Sequence, residues 1–146
     1  MARYLLDTSI ILRLVNPLDA QHSVARDAAL NLKLRGDEPV LANQVLYEFW
    51  TVATRPTSVN GLGWTPKQSA SEMAALLQGF AVLPEPQTLF ATWLSLVTTY
   101  SVSGKRSHDL RLIAWALDSA VPFIVTFNID DFKPFTEITA IYPADL

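Results

Sequence analysis

Arg3-Tyr4-Leu5-Leu6-Asp7-Thr8-Ser9 is the stretch on which the fold turns. The segment from Arg3 to Leu6 reads as a buried strand, and Thr8 to Val15 as a short helix that starts directly after Asp7 and is closed by Pro17. Ligands of open α/β sheets gather at the carboxyl ends of the strands, so a carboxylate at this junction is a candidate functional group. The plainer alternative is that Asp7 caps the helix.

Moving outward, Val24, Ala28 and Leu32 recur at helical spacing between about Ala20 and Arg35, and Gly36 is a natural stop. Val40 to Ala42 follows as a short strand. Asn43 to Thr54 reads as a helix that ends before Pro56, because the residue preceding proline disfavours helical geometry. Pro56 to Gly63 is loop. Pro66 to Gln78 has proline in its first turn and Gly79 beyond its end, the usual helix asymmetry. Phe80 to Leu83 is a third strand. Leu89, Trp93, Leu96, Val97 and Tyr100 share a helical face, and Ser101 to Lys105 is a break. Ser107 to Ser119 is a further helix with Leu110, Ile113, Ala114 and Leu117 on one side. Phe123 to Thr126 is a fourth strand and Thr139 to Ile141 a fifth. Short apolar strands alternating with helices predict an α/β sandwich on a mainly parallel, four- to five-stranded sheet, with residues 1–146 forming one domain.

Composition narrows the chemistry. With 146 residues, half of them hydrophobic, the chain can bury a sizeable core. It has no cysteine, which excludes disulfide staples, thiolate metal sites and cysteine nucleophiles, and only His22 and His108 remain for imidazole chemistry. Oxygen ligands must carry any metal chemistry. The first apolar run meets Asp7 too early for a signal-peptide core, so a cytoplasmic location is expected. The uncharged stretch from Pro86 to Gly104 is rich in Ser and Thr and reads as soluble helix plus loop, with no membrane association. The net charge of −3 counts against gripping nucleic acid by overall charge, although a cluster of metal-binding acids lowers the pI and a bound dication reverses the sign locally.

Glu48 lies within the apolar run Val45-Leu46-Tyr47-Glu48-Phe49-Trp50-Thr51-Val52, where an unpaired carboxylate is costly; a functional site or an ion pair with Arg55 would answer for it. Asp109 opens a helix after Ser103-Gly104-Lys105-Arg106-Ser107-His108, in a place that also suits the helix dipole. Asn128, Asp130 and Asp131 follow the fourth strand, where solvated turn acids are equally ordinary. Convergence of several such oxygens at one sheet edge would suit Mg²⁺ or Mn²⁺ and hydrolysis of a phosphodiester by a metal-activated water. Lys105, Arg106 and Arg111 would then hold flanking phosphates, or form a merely solvated basic patch. His108 is read as structural.

Four motifs in register, Leu5-Leu6-Asp7-Thr8-Ser9, Val45-Leu46-Tyr47-Glu48-Phe49, Ser107-His108-Asp109, and Thr126-Phe127-Asn128 with Asp131-Phe132, make the chain resemble the PIN-domain ribonucleases, most closely the VapC-like toxins of type II toxin-antitoxin pairs. The resemblance implies an α/β/α fold, dependence on Mg²⁺ or Mn²⁺, and RNA as substrate. It implies Asp7, Glu48 and Asp109 as catalytic, metal-binding acids, with Thr8, Ser9 and Asn43 as supporting polar groups. The fourth acidic position of many PIN domains falls on Asn128, so either Asn128 is a neutral ligand or Asp131 substitutes. A homodimer and a small cognate antitoxin that fills the acidic groove are implied in the same way.

Other enzymes with similar openings fit less well. A haloacid-dehalogenase-type phosphotransferase would need a second aspartate where Ser9 stands, and Gly104-Lys105-Arg106 lacks the upstream glycine and following hydroxyl of a P-loop. A receiver domain would want adjacent N-terminal acids. The alternative from another class is a catalytically silent module that docks a basic peptide or RNA through the same acids.

Overall fold

The computed structural model describes residues 1–146. Five short strands, β1 (Arg3–Leu6), β2 (Glu38–Ala42), β3 (Ala81–Leu83), β4 (Phe123–Val125) and β5 (Thr139–Ile141), form one sheet in the order β3-β2-β1-β4-β5. Every neighbouring pair runs parallel. A parallel sheet covered on both faces needs strands that are apolar throughout, which is why these read as runs rather than alternations. Seven helices complete an α/β/α sandwich: α1 (Thr8–Leu14), α2 (His22–Leu34), α3 (Asn43–Thr54), α4 (Pro66–Gly79), α5 (Leu89–Thr99), α6 (Arg106–Asp118) and α7 (Ile129–Phe132). Thirty buried residues make one hydrophobic cluster, with Trp115 and Phe49 its largest fully buried side chains.

Several boundaries differ from the sequence reading for identifiable reasons. β2 begins at Glu38 rather than Val40, with Pro39 inside it. The Glu38 N–H donates to Ala2 on the β1 side, so the N–H that Pro39 lacks would point the other way, where pairing with β3 starts only at Val40. Gly79 ends α4 from within, and β3 starts one residue late, at Ala81. The Asn128–Phe132 segment, taken as a turn, contains the short helix α7.

The buried side of α6 is wider than one stripe. Leu110, Leu112, Ile113, Ala114, Trp115 and Ala116 are all buried, whereas Leu117, expected inside, is 40% exposed. α5 covers the outer side of α6 and is tied to both of its ends. The Trp93 indole N–H donates to the Ser107 carbonyl at 2.7 Å, and the Thr88 and Thr92 hydroxyls donate to the Asp118 carboxylate at 2.7 and 2.8 Å.

Candidate active site

The register Leu6↔Val125 sets the ends of β1 and β4 side by side, so the residues that follow them, Asp7 and Thr126, are neighbours. The Asp7 N–H continues the ladder by donating to Val125 at 3.0 Å. Although Asp7 stands at the N-cap position of α1, its side chain makes no capping bond. Its Oδ2 instead accepts from the Thr126 hydroxyl at 2.8 Å and the Ser9 hydroxyl at 2.9 Å. Both hydroxyls accept a backbone N–H in turn, Thr126 from Asn128 at 2.9 Å and Ser9 from Phe127 at 3.1 Å. Each proton is thereby directed at the carboxylate, and the loop leading into α7 is pinned beside it.

Glu48 reaches the same place from α3. Its Oε2 accepts from the Thr8 hydroxyl at 2.6 Å and its Oε1 from the Gln44 amide at 3.0 Å. The Gln44 amide also donates to the His108 carbonyl at 2.8 Å, which fastens α3 to the first turn of α6. Arg55, the partner considered from sequence, is turned away and donates to the Asn60 carbonyl. Nor is every face of α3 buried, since Tyr47 and Trp50 are exposed.

A cleft of about 240 Å³ results, and Asp7, Thr8, Ser9, Glu48, Asp109, Asn128 and Asp131 all line it. Asp109 lies in the first turn of α6. Asn128 precedes α7 without capping it by its side chain, so its amide is free to face a ligand. Of the other expected residues, Asn43 lies outside the cleft; the neighbouring Gln44 supplies the α3 amide. Lys105 is exposed outside it as well. Arg106 donates to the Asp131 carbonyl at 3.1 Å. Arg111 faces a different cavity and pairs with Glu85 at 3.2 Å. Asp130 is exposed and does not line the cleft. Gln44 and Thr126 were not anticipated, though the Gln44–Glu48 spacing of one helical turn was a signal for the first.

The electrostatics are strained in one direction. Burial raises the Asp7 carboxyl above its ordinary range against the opposing hydrogen bonds, and Glu48 adds to the rise. Asp109 is pushed up to about 6, first by burial and then by the negative charges of Asp131, Asp7 and Glu48, with only Arg106 opposing. Arg13 lines the cleft, but its guanidinium donates to the Ser9 carbonyl and lies 4.7 Å from the centre of the Phe127 ring. No three His, Asp or Glu side chains are gathered as a ready metal-binding group. The donor set, all hard oxygen, fits a hydrated dication such as Mg²⁺, which keeps several waters and needs only one or two direct carboxylates.

The sequence profile of the PIN domain family matches residues 4–137. No curated protein sequence matches the chain. Among solved structures, VapBC2 from Rickettsia felis, bound to a DNA fragment from its promoter, superposes with a TM-score of 0.73 at 17% identity, covering 95% of this chain and 97% of that one. VapBC-1 from nontypeable Haemophilus influenzae gives 0.71 at 20% identity, covering 97% and 98%. VapC20 from Mycobacterium tuberculosis, a sarcin-ricin loop cleaving toxin, gives 0.64 at 20% identity, covering 90% and 95%. These likenesses establish a shared fold, and the profile match over nearly the whole length establishes that the chain belongs to the PIN domain family.

Proposed function

We propose that the chain is a metal-dependent endoribonuclease of the cytoplasm, the toxin of a toxin-antitoxin pair. The observation that carries the reading is the convergence of Asp7, Glu48 and Asp109, with Asn128 and Asp131, on one cleft at the carboxyl edge of a parallel sheet. Asp7, Glu48 and Asp109 would hold Mg²⁺ or Mn²⁺, with Asn128 or Asp131 completing the set. When bound, the metal would lower the pKa of a water to make the nucleophile and polarise the phosphate. The chain's own part is positional. Thr126 and Ser9 fix Asp7, Thr8 and Gln44 fix Glu48, and the fold presents both carboxylates on rigid elements.

RNA as the substrate is supported by the fold shared with a toxin that cleaves the sarcin-ricin loop, and a cognate antitoxin by the fold shared with toxin-antitoxin complexes. An antitoxin offering a basic side chain to the unbalanced acids would silence the site, and a homodimer is the expected assembly. One experiment tests the whole: purified protein is incubated with RNA and Mn²⁺ or Mg²⁺, and its expression is scored for growth arrest. Cleavage should stop with chelator. In Asp7→Asn it should fall by more than about a hundredfold with unchanged circular dichroism, and growth arrest should disappear. Cleavage that ignores chelator or survives Asp7→Asn sinks the reading.

A further inference from the structure

The acid cleft, about 240 Å³, has room for an ion and a phosphate, whereas small-molecule sites run to about 300–1,000 Å³. A nucleoside attached to that phosphate must therefore lie elsewhere. A cavity of about 590 Å³ adjoins the cleft, lined by the loop after β3 and by α5 and α6. It opens at the same edge of the sheet, because Glu85 follows the end of β3 as Asp7 follows β1. The first turn of α6 stands between the two spaces. His108 lines the cavity and Asp109, the next residue of α6, lines the cleft, while Gln44 bonds both Glu48 and the His108 carbonyl.

Two aromatic rings line this cavity. Phe90 is 70% exposed, so its ring is open to a ligand at the mouth of the cavity. Its ring centre lies 5.7 Å from that of Trp93, tilted by 39°, and Trp93 is fixed by its bond to the Ser107 carbonyl. Beside the rings stand one cation and one anion, Arg111 and Glu85, paired at 3.2 Å. Arg111 is further oriented by Gln44 at 3.4 Å and by the Trp115 ring, 5.6 Å away.

We propose that this cavity is a base-stacking subsite for single-stranded RNA, adjoining the position of the scissile phosphate. The inference rests on the nuclease reading for its substrate class. Every nucleobase has a face that stacks on an aromatic ring, and recognition of unpaired RNA relies on such platforms. Arg111 offers a guanidinium to the backbone phosphate. Glu85 offers an acceptor to a base N–H, whether an exocyclic amino group of adenine, cytosine or guanine or the N3–H of uracil. Phe90 is thus a binding residue and Trp93 its rigid backing.

The test measures binding of a fluorescently labelled RNA pentamer, and of an abasic ribose-phosphate pentamer of equal charge, in chelator so that nothing is cut. Phe90→Ala should weaken the RNA pentamer about tenfold and leave the abasic one unchanged. Phe90→Tyr, which keeps a ring, should retain the wild-type affinity. Wild-type affinity of Phe90→Ala for the RNA pentamer overturns the proposal, and does so equally if that variant loses a peptide partner, which would assign the cavity to protein docking. Cleavage with Mn²⁺ is scored separately. A protein that cuts RNA but binds it without regard to Phe90 lacks this subsite and remains a nuclease. One that never cuts, yet shows the Phe90 dependence, keeps the subsite and loses the nuclease reading.

Discussion

Aspartates at opposite ends of the same sheet, Asp37 at one and Asp7 and Asp109 at the other, live in opposite electrostatic worlds. Asp37, just before β2, accepts from the Ala2 N–H at 2.9 Å and from Arg35 at 2.8 Å, and Arg35 also donates to the Tyr4 hydroxyl. The Ala2 N–H and the guanidinium hold its carboxyl below the usual range. At the other end, Asp7 and Asp109 are pushed up, chiefly by burial and in part by neighbouring carboxylates, Glu48 for Asp7 and Asp131, Asp7 and Glu48 for Asp109. One end of the sheet closes its charge with local partners, and the other leaves it open. A carboxylate with its own cation serves stability; a group of them without one costs stability and is where a ligand has something to gain.

Three changes would break or sharpen that contrast. The largest effect is expected from Thr126→Val, which removes a hydroxyl that serves both Asp7 and the Asn128 N–H: cleavage should drop about 10- to 100-fold in a metal-supported assay while the fold persists. Next comes pH. The folded state holds the Asp109 proton more tightly than the unfolded chain does, so stability of the metal-free protein should decline as pH climbs from the ordinary 3.8 to about 6. Melting curves across that window should show the decline in wild type and a shallower one in Asp109→Asn. The smallest effect belongs to Asp37→Asn, whose melting temperature should fall modestly at neutral pH, with cleavage unaltered. Asp37 carries the reverse sign: its contribution is present above the ordinary carboxylate pKa and vanishes as pH falls through its lowered value, so variant and wild type should converge in strong acid.

Much of this was readable in the chain itself, and the exceptions have physical causes. The end of α3 follows from Pro56, and the bounds read for α3 and β5 both agree with the structure. Asp7 and Glu48 stood out because each ends or interrupts an apolar run, which costs energy unless something repays it, and Asp109 because it opens a helix after a polar break. Asn43 came from the family resemblance, whereas helical rotation points to its neighbour: one residue turns the side chain by about 100 degrees, and Gln44, a full turn before Glu48, is the one that meets it. Thr126 was invisible as a site residue because its role depends on which strand lies beside β1, and pairing between strands more than a hundred residues apart is not written locally. The cavity beside α5 was hidden likewise, since Trp93 was read on an apolar helical face with Leu89 and Leu96, and Phe90, off that face and exposed, was given no role.

The ladder bond from the Asp7 amide to Val125 has one more consequence. It makes the first acid of the cleft a part of the sheet, unable to retreat unless the two central strands separate. Glu48 and Asp109 hang from helices whose hydrogen-bonded link is a single glutamine. On the proposed reading, accommodation to ions of different radius would fall on the helical wall, with the strand wall acting as the fixed jaw of a vice and Gln44 as its hinge pin.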